Sequence, residues 1–184
     1  MIKVAALVGS IRRDSYNMKL TNFIQERYKD RLDITIVTIR DIAHYDQDIE
    51  NEAPDSVQRF KNELSDADAF LIVTPEFNHS IPGVLKNALD WLSRGKREMA
   101  GKPTFIAGAS MGILGTVRAQ MQLRQILNAP GMGANILPGN EILIGSVQNK
   151  VNEHGLLTDQ GTIEFIDGVI EQFVLFAEAE LIKS

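Results

Sequence analysis

Unbroken apolar runs alternate along the chain with stretches in which apolar side chains recur every three or four positions. Val4 to Val8, Ala69 to Val73 and Thr104 to Ala107 are continuous runs, the pattern of strands covered on both faces. Asp33 to Ile39 alternates through Ile34 and Ile36 and then, with a shift, Val37 and Ile39; Glu141 to Ile144 is a shorter candidate. The pattern predicts five strands.

Between them lie helical periods. Leu20, Phe23, Ile24 and Tyr28 form one stripe, Val57, Phe60 and Leu64 a second, and Val84, Leu85, Leu89 and Leu92 a third. Val117, Met121, Arg124 and Leu127 mark a fourth helix. Ile163, Ile166, Ile170, Phe173, Ala177 and Leu181 mark a long last one, with Phe165, Val169 and Phe176 off its main stripe. Strict β-α alternation implies right-handed crossovers and a doubly wound sheet, with the ligand crevice at the carboxyl ends of the strands around the switch point. The expected fold is α/β, a flavodoxin-like three-layer sandwich whose five-stranded parallel sheet has the order 2-1-3-4-5.

Two connections are longer than the rest: Arg40 to Pro54, polar and acidic, and Asn128 to Asn140, rich in Pro and Gly. Neither divides the chain, and 184 residues with 44% hydrophobic content suit one domain over 1–184. A formal net charge of -5 disfavours nucleic acid, whose phosphates require clustered cations. The chain contains no Cys, which excludes thiolate nucleophiles, Cys-type metal sites and disulfides, so redox chemistry would have to come from a cofactor. The opening apolar run is too short to span a bilayer and has no small-residue cleavage region after it; the expectation is a cytoplasmic protein that does not engage membranes.

Three loops at successive strand ends hold the candidate chemistry. In Gly9 to Asn17, Gly9 permits a tight exit from the first strand, while Ser10, Ser15 and Asn17 can donate to phosphate oxygens beside the free N–H groups of a helix start. Arg12 can add a charge-assisted fork. The plainer alternative is that Ser15 only caps the helix and the arginines are solvated. In Thr74 to Gly83, Pro75 and Pro82 stiffen the backbone, so that the amides of Glu76, Phe77 and Asn78 can face the polar edge of a flat heterocycle with Phe77 packed nearby. His79 has no partner pattern for a metal or a triad and reads as a surface or interface histidine. The glycines of Gly108 to Thr116 allow the backbone to approach a ring closely.

Known nucleotide loops do not match. Gly9 to Asn17 lacks the Gly-Lys of a Walker loop and the alternate glycines of a dinucleotide fingerprint, and Gly131-Met132-Gly133 completes no fingerprint after Pro130. A phospho-receiver would need acidic residues where Gly9-Ser10 and Thr74-Pro75 stand.

Leu7-Val8-Gly9-Ser10-Ile11-Arg12 with Ser15 and Asn17, and the run from Thr74-Pro75-Glu76-Phe77-Asn78-His79 to Asn87-Ala88-Leu89-Asp90-Trp91, resemble the NAD(P)H-dependent FMN reductases, a group that includes quinone, azo-dye and chromate reductases. The resemblance covers nearly the whole chain. It implies that Ser10, Arg12, Ser15 and Asn17 hold the FMN phosphate, that Pro75, Glu76, Phe77 and Asn78 border the ribityl chain and ring, and that Ser110 and Gly112 line the ring's other side. It further implies hydride transfer from NADPH or NADH to the flavin and then to a small-molecule electron acceptor such as a quinone, an azo compound or a metal oxyanion. No side-chain acid, base or metal is required, and the family commonly forms homodimers or homotetramers. Two positions depart from the pattern: the family often has Tyr at Phe77, and Gly at Thr116, where a larger residue would narrow the third loop. A flavodoxin-type electron carrier shares the fold and cofactor, but flavodoxins favour phosphate loops without Arg and are usually more acidic.

Overall fold

The computed structural model describes residues 1–183. Among these residues six strands and five α-helices follow in the order β1 (Ile2–Val8), α1 (Tyr16–Arg27), β2 (Leu32–Val37), α2 (Asp55–Leu64), β3 (Ala69–Val73), α3 (Gly83–Leu92), β4 (Pro103–Ala109), α4 (Val117–Leu127), β5 (Asn135–Ile136), β6 (Ile142–Ile144) and α5 (Gln160–Leu181). All pairings are parallel, in the order β2-β1-β3-β4, with β5 and β6 both on the outer side of β4.

Alternate residues of each central strand serve opposite cores, which is why the strands read as unbroken apolar runs. Val4, Ala6, Leu71, Val73, Phe105 and Ala107 pack under α1 and α5, with Leu20, Ile24, Ile166, Ile170 and Phe173. Ala5, Leu7, Phe70, Ile72 and Ile106 pack under the other three helices, with Phe60, Leu85, Leu89, Leu123 and Leu127. No described helix is long and apolar enough to cross a membrane.

Three details differ from the sequence pattern. The fifth sheet position is shared by two short strands: Asn135 and Leu137 donate to the carbonyls of Lys102 and Thr104 before the chain leaves β4 at Pro138-Gly139 and returns as β6. Pro138 has no N–H to give a ladder, and Gly139 adopts φ +77, so pairing cannot continue through them. In α4 the buried face is Ala119, Gln120, Leu123 and Leu127, while Met121 is 59% exposed. In α5, Val169 belongs to the core and Phe165 faces outward.

The connection from Arg40 to Pro54 is held down by α3. The Asn87 Nδ2 and Trp91 Nε1 groups both donate to the Ala43 carbonyl, at 3.0 and 2.8 Å, and Tyr45 N–H donates to Asn87 Oδ1 at 2.7 Å. Asn87 and Trp91 therefore act as anchors for a loop that has no strand of its own.

Candidate functional site

Where the strands end, their ladders run one residue further: Gly9 N–H donates to Val73 O, Thr74 N–H to Ala107 O and Ser110 N–H to Ile144 O, at 2.8, 2.9 and 2.9 Å. Gly9, Thr74 and Ser110 thus open three loops side by side. A Cβ on Gly9 would lie 3.1 Å from Leu85 and 3.2 Å from Thr74 Oγ1, so only glycine leaves this corner unstrained.

Ser15 is the N-cap of α1. Its Oγ accepts from Met18 N–H at 3.2 Å with the backbone in the extended region, as an N-cap requires, and capping uses a lone pair and leaves the hydroxyl proton to donate elsewhere. Asn17 is buried and joins the first loop to the end of β4, exchanging hydrogen bonds with both main-chain groups of Ala109. Arg12 is largely exposed, 3.5 Å from Asp14, whose other partner is Lys19. The Lys19 ammonium, and after it Arg12, holds the Asp14 carboxyl below the usual carboxylate range. The guanidinium of Arg40 donates to the Ile11 carbonyl and so ties the connection after β2 to the same loop.

The second loop turns back on itself. Phe77 and Ser80 exchange main-chain hydrogen bonds at 2.9 and 3.0 Å across Asn78 (φ +50) and His79 (φ +64), both central residues left-handed as in a type I′ turn. Phe77 stands out on this hairpin, 55% exposed, with Ser80 Oγ donating to Gln122 Oε1 at 2.6 Å on α4. The Glu76 carboxylate turns the other way and accepts from the N–H groups of Arg118 and Ala119 at 2.9 and 3.2 Å.

Eight of the ten residues singled out in the sequence, Ser10, Arg12, Ser15, Asn17, Pro75, Glu76, Phe77 and Ser110, line one cavity of about 170 Å³. It abuts a second of about 340 Å³ that shares Ser10, Arg12 and Phe77 and extends to Pro82 and Val84. Asn78 and Gly112 are outside both linings: Asn78 is exposed at the hairpin tip, and Gly112 is occupied within the third loop, donating to Ser110 Oγ and accepting from Ser146 N–H. Tyr16, Ala109 and Met111 complete the smaller cavity without having been singled out. Tyr16 and Met111 are sequence neighbours of Ser15 and Ser110, the only signal that could have found them.

Thr116 does not narrow the site. It is fully buried, accepts from Gln120 Nε2 at 3.1 Å, and its Oγ1 would be 1.9 Å from a Cβ on Gly108. Its extra atoms fill space beneath the third loop, against a glycine that could carry no side chain.

A parallel sheet of order β2-β1-β3-β4 with helices on both faces, and a cavity lined by three loops at the carboxyl ends of β1, β3 and β4, define a flavodoxin-like protein. Comparison with known proteins narrows the class. The model of the family described as NADPH-dependent FMN reductase matches residues 2–149. NADH-dependent flavin reductase subunit 2 of Lactobacillus johnsonii is 40% identical over 96% of this chain and 98% of its own. Quinone reductase of Escherichia coli K12 is 37% identical over 96% of each. The solved structure of FerB, a flavoenzyme NAD(P)H:(acceptor) oxidoreductase from Paracoccus denitrificans, superposes with a TM-score of 0.88 at 35% identity, covering 98% of this chain and 99% of that one. The chain belongs to the NADPH-dependent FMN reductase family and is an oxidoreductase that works with FMN and NAD(P)H.

Proposed function

We propose that the described cavity is the FMN site and that the protein passes electrons from NADPH or NADH to a small quinone, with azo compounds or metal oxyanions as further acceptors. The observation that carries this is the convergence of Ser10, Arg12, Ser15, Pro75, Phe77 and Ser110, from three separate loops, on one cavity at the carboxyl ends of β1, β3 and β4. The residues suit FMN. Ser10 and Ser15 present hydroxyls, Arg12 an exposed cation, and the first N–H groups of α1 have no carbonyl partner within the helix, which together match a phosphate dianion.

When bound, FMN supplies the hydride chemistry that the chain's own side chains lack. Arg12 and the hydroxyls fix the phosphate, the Pro75 to Phe77 backbone borders the ring, and Phe77 with Val84 keeps the larger cavity apolar for a flat acceptor. No acid, base or metal enters this reading.

Phe77 and Met111 are exposed where they line the site, and Ile113 and Leu114 are exposed further along the third loop, apolar surface that a second copy of the chain would cover. We therefore assign at least a homodimer of single-domain chains (1–184), working in the cytoplasm where reduced pyridine nucleotides are drawn upon. A monomer by light scattering at micromolar concentration would refute the assembly.

Anaerobic titration of the purified protein with FMN, followed by NADPH in the same cuvette, tests the function. A perturbed flavin spectrum that bleaches, and is restored by a quinone over many turnovers, is the expected result. Bound flavin that exchanges electrons only stoichiometrically with a redox protein would point to a flavodoxin-type carrier, and an unchanged spectrum would sink the cofactor assignment.

A further inference from the structure

We propose that Glu76 serves the site as a positioning residue: its carboxylate closes the amino end of α4 from the neighbouring loop and so locks the second and third loops together. The inference rests on the FMN reading of the cavity.

Helix α4 has no cap of its own. Thr116, at φ -120 and ψ 38, makes no side-chain capping bond, and the first turn contains no acidic residue. An uncapped start leaves N–H groups and the positive end of the helix dipole without a partner. Glu76, 42 residues earlier in the chain, supplies both needs: one carboxylate oxygen takes the N–H groups of Arg118 and Ala119 at 2.9 and 3.2 Å, and the other lies 3.8 Å from the Arg118 guanidinium. The Glu76 side chain is 14% exposed, so its two peptide contacts are little diluted by solvent, whereas the Arg118 side chain is about half exposed and its ion pair is screened.

The same turn of α4 is held from its other side by Gln120, whose Nε2 donates to the Ile142 carbonyl of β6 at 2.9 Å. The third loop therefore hangs between two fixed points, the end of β4 and the start of α4. Glu76 joins the second of these to the hairpin that carries Phe77. One oxygen of the Glu76 carboxylate takes two peptide donors and the other faces the Arg118 guanidinium, so this side chain is directed at the start of α4. Loops fixed in advance spare a ligand the cost of ordering them, and this is how Glu76 acts on FMN affinity.

Glu76→Ala and Glu76→Gln, compared by hydrogen exchange of the FMN-free protein and by FMN titration, test the assignment. In Glu76→Ala, exchange across residues 110–119 should quicken about tenfold or more while β1 and β3 keep their protection. FMN binding should weaken by roughly five- to tenfold, the effect of a lost helix cap. Glu76→Gln retains an acceptor oxygen for the two amides and should recover most of both. Weakened FMN binding with unchanged exchange in 110–119 would make Glu76 a direct ligand and overturn the proposal, as would unchanged exchange and binding together. If the wild-type protein itself fails to bind FMN, the cofactor reading falls alone, because exchange in the FMN-free variants still decides whether Glu76 locks the loops.

Discussion

The side-chain amide of Asn17 and the main chain of Ala109 bond in both directions, Nδ2 to the carbonyl at 3.0 Å and the peptide N–H to Oδ1 at 2.9 Å. An asparagine at the start of α1 thus does for the last residue of β4 what a neighbouring strand would do. It fixes the first loop to the third just where the cavity lies between them. One Nδ2 proton is left over, so Asn17 can serve a phosphate as well as the scaffold.

Asn17→Ala should destabilise the FMN-free protein by about 2–3 kcal/mol, because it strands a buried N–H and a buried carbonyl of Ala109. Urea denaturation without flavin measures this separately from any loss of cofactor. A midpoint equal to wild type would mean that water replaces the side chain at no cost and that Asn17 matters only as a ligand.

Arg12 has the opposite character, exposed and held by little. Arg12→Ala should leave unfolding within about 0.5 kcal/mol of wild type, as surface substitutions do. It should nevertheless weaken FMN by roughly 1.5–3 kcal/mol, the worth of a charge-assisted contact to phosphate. Asp14, beside Arg12 in this loop, adds negative charge next to the expected dianion, so Asp14→Asn should tighten FMN, most visibly at low salt. Calorimetric titration of both variants checks the pair, and an Arg12→Ala protein with wild-type affinity would leave that arginine a solvated residue.

Gly108→Ala should be among the most damaging single-methyl changes in the chain, costing about 2 kcal/mol or more through overpacking. The new Cβ would be 1.9 Å from Thr116 Oγ1 and 2.5 Å from the Thr74 carbonyl. Thr116→Gly in the same protein removes the first clash but not the second, so thermal unfolding should show partial rescue. Full rescue would mean that the backbone of Thr74 yields easily.

These residues also mark where the sequence was legible. The central strands could be read because both faces are covered, which makes Ala69 to Val73 apolar at every position. The clustering of Ser10, Arg12, Ser15 and Asn17 at one cavity could be read because Ser, Asn and Arg gather directly after a strand. The partners of Asn17 and Glu76 could not. Both side chains bond main-chain groups, 92 and 42 residues away, and a peptide N–H or carbonyl leaves no residue type to recognise. In α4 the core admits Gln120, whose Nε2 donates to Thr116 Oγ1 and the Ile142 carbonyl, and this polar residue on the inner face displaced the apparent stripe from Leu123 to Met121. The split between β5 and β6 is set by pairing of two and three residues to β4, too short for any periodicity to register.

A last prediction concerns the opposite end of α1, where Arg27 and Tyr28 both reach Asp167 on α5. The guanidinium makes two bonds of 2.7 Å to the carboxylate and the phenol a third of 2.7 Å. Arg27 above all, then Tyr28, holds the Asp167 carboxyl below its usual range against the opposing effect of burial. A carboxyl whose pKa is lowered by folding stabilises the native state at pH values above its unfolded pKa of about 3.9, and that contribution disappears as pH falls through the lower folded value. Asp167→Asn should therefore cost about 0.5–1 kcal/mol at pH near 7, a figure reduced because the pair is about two-fifths exposed and screened by solvent. The gap between variant and wild type should close as pH drops below about 4. Urea midpoints of the two proteins across that range measure it; a gap independent of pH would assign the loss to packing or to the Tyr28 hydrogen bond instead of the carboxylate charge.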